Sequence, residues 1–115
     1  MPSKNPRQRL QDIIENIELI KRFVSGMTAE SFVADIKTVY AVERAILVIS
    51  EAVRKLPDEI KKRNTDIDRI AAAGIGNKIR HDYDSIDEMI VWNTVQESIE
   101  ALRAAVEAEV RRLAD

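Results

Sequence analysis

Cysteine is missing from all 115 residues, so disulfides, thiolate-held zinc and cysteine nucleophiles are excluded at once. Glycine and proline are scarce, three of each, in a chain that is 45% hydrophobic and 33% charged. That balance belongs to a soluble, helix-rich protein. Apolar residues never run unbroken for the 18 or so positions that a membrane span needs, so no transmembrane segment is expected. Residues 1–10 are basic and polar without the apolar stretch of a signal peptide, which makes the cytoplasm the expected compartment. An excess of positive charge is lacking too: 18 basic against 20 acidic residues leave a net charge of −2. Capture of nucleic acid by a broad basic face is therefore not expected, and any contact with RNA must be made at a small local site. The short runs Lys61-Lys62-Arg63 and Arg111-Arg112 are the basic exceptions.

What remains is a helical pattern. A chain of this length fits one domain, residues 1–115, and should bury roughly two-thirds of the surface of the unfolded chain. Leu10, Ile13, Ile14, Ile17, Ile20 and Val24 recur at three- and four-residue steps and predict a first helix over about residues 6–24. Pro6 suits its first turn, where a missing N–H breaks no helical bond. Gly26 fits the left-handed position after a helix end, and Thr28 with Glu30 and Ser31 reads as the N-cap of the next helix. A second helical region is expected over residues 29–56 with a bend near Ala34-Asp35. Its stripe is Val42, Ile46, Ile49, Val53 and Leu56, and Pro57 stops it. Asp35, Arg44 and Glu51 are its notable polar residues, open to reading as ordinary solvated charges. Residues 58–68 form the least hydrophobic connection, with room for a short helix begun by Asp58. Its basic triplet reads as a solvated connection or, alternatively, a contact for a phosphate backbone.

A third helix is expected over residues 67–83. It is unusual in carrying Gly74 and Gly76, which cost about 1 kcal/mol each relative to alanine. Either another helix packs closely on that face or the helix breaks there. The last helix is expected over residues 86–113, with Asp84, Ser85 and Asp87 as capping groups and Trp92, Val95, Ile99, Leu102, Val106 and Val110 as its apolar stripe. The single tryptophan reads as a core anchor. The fold class is all-α: an antiparallel four-helix bundle with an extra short helix possible in the 58–66 connection.

Chemistry converges on Asn77-Lys78-Ile79-Arg80-His81-Asp82-Tyr83, which holds the only histidine and one of two tyrosines. On a helix Asn77 and His81 share a face, and Arg80 sits about 100° from His81. Histidine titrates near neutrality and moves protons, while a guanidinium can hold a phosphate that is gaining charge. Those two functions suffice for metal-free RNA cleavage. On chemistry alone, a lone histidine beside an arginine is more often structural. No metal-ligand spacing, phosphate-cradling glycine loop or Ser/His/Asp arrangement is found, so no metal and no cofactor are expected.

The pattern Gly74-x-Gly76-Asn77-x-x-x-His81-x-Tyr83, followed by Asp87 and Val91-Trp92, resembles the signature of the HEPN superfamily, and within it the HepT-like toxin family. Asp35, Ala41-Val42-x-Arg44, Ile49-Ser50-Glu51-Ala52, Leu56-Pro57 and Leu10-x-Asp12-Ile13 agree, so the resemblance spans nearly the whole chain. It implies a four-helix-bundle ribonuclease that forms a homodimer, with the motif segments of two subunits lining one cleft. It also implies the toxin half of a toxin–antitoxin pair. The implied partner is a minimal nucleotidyltransferase, MntA-like, that transfers AMP from ATP to the motif tyrosine. By position, the resemblance makes His81 the catalytic histidine, Asn77 the polar residue after the motif arginine, and Tyr83 the AMP-modified residue. The motif arginine belongs at position 76, where this chain has Gly76. Arg80, one turn later on roughly the same face, is the candidate substitute. A bulky anionic nucleotide on Tyr83 would block substrate phosphate beside His81; a Tyr83 packed against the last helix is the alternative. The alternative function is a catalytically weakened dimer that serves as binding partner of the nucleotidyltransferase.

Overall fold

A computed structural model describes residues 5–65 and 87–114. Among these the chain is all-α, as expected, and folds as a helical bundle. The third helix expected over residues 67–83, with Gly74 and Gly76, lies outside the described residues, as do Asp84 and Ser85.

Helix α1 spans Pro6–Phe23. Asn5 caps it by accepting from the Gln8 backbone N–H, and Pro6 occupies the first turn. Its buried stripe is Leu10, Ile13, Ile17 and Ile20. Lys21 and Arg22 stand in the last turn, where cations face the negative end of the helix dipole. The chain then turns through Gly26 at φ +77°, a left-handed conformation that a side chain would strain.

The second helical region is two helices. Thr28 opens α2, Ala29–Ala34, through a reciprocal capping box: its hydroxyl accepts from Ser31 N–H at 3.1 Å, and the Ser31 hydroxyl accepts from Thr28 N–H at 2.9 Å. The expected bend falls at Asp35, which ends α2 and caps α3, Ile36–Arg54. The Asp35 carboxylate accepts from the Thr38 hydroxyl at 2.9 Å and from its N–H at 3.3 Å. Capping thus competes with helix continuation at this aspartate, and capping wins.

Helix α3 buries Val39, Val42, Ala45, Ile46, Ile49, Ala52 and Val53, together with Ser50. It ends at Lys55, and Pro57 becomes the N-cap of α4, Asp58–Arg63, which buries Ile60. The short helix in the connection is therefore real. Its basic triplet is not simply solvated. Lys61 donates to the Arg54 carbonyl at 2.9 Å and Arg63 is held by Glu109, leaving only Lys62 exposed without such a bond. The final helix, α5, spans Glu88–Ala114. Asp87 precedes it and accepts from Met89 N–H at 2.8 Å, in the capping role expected of it.

One core joins these pieces. Helix α1 packs chiefly against α3 and then against α5, while α2 bridges α3 and α5. Val91, Val95, Ile99, Leu102 and Val106 of α5 enter the core, with Trp92 and Val110 packed partly buried against it. Phe32 of α2, fully buried, meets the Trp92 ring at a centroid distance of 5.3 Å and a tilt of 42°. Trp92 is a core anchor, as read from the sequence. Such a tilted pair adds about 0.5–1.5 kcal/mol beyond burial alone.

Candidate functional site

The residues on which the sequence reading centres, Asn77, Arg80, His81 and Tyr83, lie outside the described residues, and so does Gly76. The described structure fixes what stands on either side of them. On the upstream side α4 is tied to α5. The Glu109 carboxylate is only 3% exposed and accepts from Arg63 through both oxygens, from Nη2 at 2.6 Å and from Nε at 3.3 Å. Asn64 donates its side-chain amide to the same carboxylate at 3.1 Å, and Arg112 approaches at 3.4 Å. These hydrogen bonds, Arg63 first, hold the Glu109 carboxyl below its ordinary range against the opposing effect of burial. On the downstream side, Asp87 holds the first turn of α5. Burial, and then the nearby charge of Glu88 on α5, push Glu43 of α3 above the ordinary carboxylate range.

The polar residues singled out on α3 are separated by the fold. Asp35 is engaged in capping, and its Thr38 hydrogen bonds lower its pKa. Arg44 and Glu51 instead line an open groove of about 540 Å³ between α1 and α3, within the size range of small-ligand sites. Arg9, Asp12 and Lys55 share its walls with Leu47, Val48 and Ala52. Arg44, Val48, Glu51 and Lys55 succeed one another at steps of four, three and four residues, which places them along one face of α3. The acids of the groove are occupied. Asp12 is paired with Arg9 at 3.2 Å and accepts from the Gln8 side chain at 2.9 Å, while Glu51 pairs with Arg54 at 3.1 Å. Arg44 and Lys55 have no ion pair among the described residues. The Nε of Arg9 is buried without a hydrogen-bond acceptor.

The sequence pattern makes Arg44 and Glu51 notable polar residues of α3, readable as ordinary solvated charges, and does not single out Arg9 or Lys55. The regular polar stripe beside the apolar stripe of α3 is the signal that could have found Lys55. Arg9 and Asp12 face it only because α1 packs on α3, which no local pattern reveals. A second groove, about 320 Å³, lies between α1 and α5 beside Trp92, where Lys21 and Glu100 are paired at 2.5 Å. No group of three or more His, Asp or Glu side chains able to hold a metal is present among the described residues. Nor is any helix among them long and apolar enough to cross a membrane.

The chain has relatives over almost its whole length. It is 35% identical over 104 residues to a probable ribonuclease HepT of Thermococcus cleftensis, covering 90% of this chain and 94% of that protein. It is 32% identical over 111 residues to a candidate RNase of Methanocaldococcus jannaschii, covering 96% and 92% respectively. A candidate RNase of Caldanaerobacter subterraneus subsp. tengcongensis is 31% identical over 103 residues, with 90% and 92% covered. No solved structure matches the chain at a significant level. The family described as ribonuclease HepT-like matches residues 13–109, a stretch that reaches from the first turns of α1 through the Asn77–Tyr83 segment to the buried Glu109. The all-α bundle and the order of motifs along it thus have one explanation: this chain belongs to the ribonuclease HepT-like family.

Proposed function

We propose that the protein is a ribonuclease that cleaves RNA without a metal ion, using His81, Arg80 and Asn77. The observation that carries this reading is the match to the ribonuclease HepT-like family over residues 13–109, which includes the whole motif segment. The chemistry needs few groups. A 2′-hydroxyl loses its proton and its oxygen attacks the adjacent phosphorus. The bond from phosphorus to the 5′-oxygen breaks, leaving a cyclic phosphate, and the departing oxygen takes up a proton. His81 carries the proton, since imidazole changes charge near neutral pH. Arg80 supplies the cation for the phosphate in place of the arginine that Gly76 replaces, and Asn77 provides a polar contact on the His81 face.

Two copies bring two such segments to one cleft, so the active form is a homodimer. The protein is the toxin of a toxin–antitoxin pair. A minimal nucleotidyltransferase is its partner and silences it by transferring AMP from ATP to Tyr83. The new anionic nucleotide sits two residues from His81 and excludes substrate phosphate by volume and by charge.

The test is incubation of purified protein with tRNA and mRNA in chelator. Cleavage is expected, His81→Ala lowers it by about 10²–10⁴-fold, and Arg80→Ala by about 10²–10³-fold. Cleavage that survives His81→Ala overturns the assignment. Incubation with the transferase and ATP should add the mass of AMP to the wild type and not to Tyr83→Phe. A strict monomer at micromolar concentration overturns the shared cleft. Gly76 itself favours a second reading, in which the dimer binds the nucleotidyltransferase while cutting RNA weakly or not at all. Under that reading Gly76→Arg should create or raise cleavage.

A further inference from the structure

Among the described residues the α1–α3 groove is lined by α1, α3 and Lys55, and its charges are unequally used. Asp12 and Glu51 already have cations, Arg9 and Arg54. Arg44 and Lys55 have none among the described residues. A groove with its acids neutralised and two cations left over attracts anions, even in a chain whose net charge is −2. The spacing narrows the choice of anion. Arg44 and Lys55 stand eleven residues apart on one face of α3, about 16 Å along the helix axis at 1.5 Å per residue. That is too far for one phosphate to bridge. A single nucleic-acid strand carries a phosphate at every nucleotide, so a run of successive nucleotides passes both. Between the two cations the α3 wall is Leu47, Val48 and Ala52, an apolar floor on which uncharged parts of a strand can rest.

We propose that this groove binds the phosphodiester backbone of single-stranded RNA, with Arg44 and Lys55 as its cationic contacts at the two ends. The proposal rests on the ribonuclease reading and adds a substrate-holding surface on the α1–α3 face. Arg9 and Arg54 serve as positioning residues: they keep Asp12 and Glu51 from claiming Arg44 and Lys55. The groove gives grip without sequence preference, because backbone contacts carry no base information.

The probe is a fluorescent single-stranded oligoribonucleotide, 2′-O-methylated so that it cannot be cut, titrated at several salt concentrations. Unmodified RNA is assayed for cleavage in parallel. Arg44→Gln and Lys55→Gln should each weaken binding and each reduce the slope of log K against log salt by about 0.7, the increment for one single-strand phosphate contact. Arg22→Gln, at an exposed position in the last turn of α1 and outside the described groove lining, should change neither. An unaltered slope in the Arg44→Gln/Lys55→Gln double variant overturns the groove. If His81-dependent cleavage persists with that unaltered slope, the ribonuclease reading stands without it. A wild type that fails to bind the oligonucleotide overturns the groove as well. A slope that falls as stated, in a protein that cuts no RNA, supports the groove and removes the catalytic reading alone. Competition by AMP as effective as that by the oligonucleotide marks a single-phosphate pocket and overturns the strand. Loss of nucleotidyltransferase binding with RNA binding intact assigns the groove to that partner and overturns it equally.

Discussion

Where α4 meets α5, Arg63 and Asn64 close around the carboxylate of Glu109 and remove it from water. Where α1 meets α3, Arg9 and Arg54 hold Asp12 and Glu51 at the edge of an open groove, and Arg44 and Lys55 stay unpaired among the described residues. The side-chain types are the same; their surroundings are not. At the closed junction both oxygens of the acid accept hydrogen bonds, and the donors, Arg63 and Asn64, come from 46 and 45 residues away. At the open one the ion pairs among the described residues are local, three residues apart on their own helices. Long-range pairing around a buried acid fixes how elements dock. Local pairing beside a groove fixes only how charge is presented, and solvent-accessible pairs such as Glu51–Arg54 contribute at most about 1 kcal/mol.

Breaking the closed junction should have the largest effect on stability. Glu109→Ala leaves Asn64 and Arg63 without their shared acceptor and opens a gap in the α5 face, at a cost of about 2 kcal/mol. Urea unfolding followed by circular dichroism measures it. Glu109→Leu fills the volume and removes the need for the charge, so its loss should be smaller. A Glu109→Ala protein as stable as the wild type would show that the network merely decorates the docking of α4.

The same acid predicts the response to pH. Glu109 titrates below its ordinary value of 4.5 in the folded protein, chiefly because Arg63 and Asn64 donate to the ionised form. Its contribution is therefore complete above about pH 4.5 and is lost as pH falls through the lower, folded value. Stability of the wild type should decline over that acid range, and Glu109→Leu should decline less steeply. Glu43 works in the opposite direction. Burial and Glu88 raise it, so ionised Glu43 is a burden above the carboxylate range and the burden lifts as pH falls. Glu43→Gln should stabilise the protein slightly at pH 7, with the advantage shrinking toward pH 4. An advantage that grows on acidification would refute the assigned cause.

Legibility of these features in the sequence obeys the same division between local and long-range. The ends of α1, the left-handed Gly26, the Thr28 cap and the break at Asp35 all depend on residues within four positions of one another, and all are readable. So is the α5 stripe, because a helix repeats its apolar face. The Arg63–Glu109 junction is not. Lys61-Lys62-Arg63 looks like solvated charge because nothing nearby calls for it, and the partner of Arg63 lies 46 residues on. The candidate site divides likewise. Arg44 and Glu51 stand out on α3, but the groove exists only because Arg9 and Asp12 of α1 are packed beside them. The motif segment around His81 is recognisable through the order of its residues, which needs no contact to be seen.

The smallest expected effect sharpens the comparison most. Arg44→Gln and Lys55→Gln remove charges that have no ion pair among the described residues, from exposed positions on α3 and at its C-cap. Surface substitutions of this kind change stability by no more than about 0.5 kcal/mol. The double variant should therefore unfold at the same urea midpoint as the wild type, while Glu109→Ala does not. Relief of repulsion among Arg9, Arg44, Arg54 and Lys55 acts, if anything, toward a slightly higher midpoint, since the groove holds more cations than acids. A cation without an ion pair among the described residues is a cation available to a ligand. If instead the double variant lost as much stability as Glu109→Ala, Arg44 and Lys55 would be structural charges like Arg63, and the two junctions would be alike.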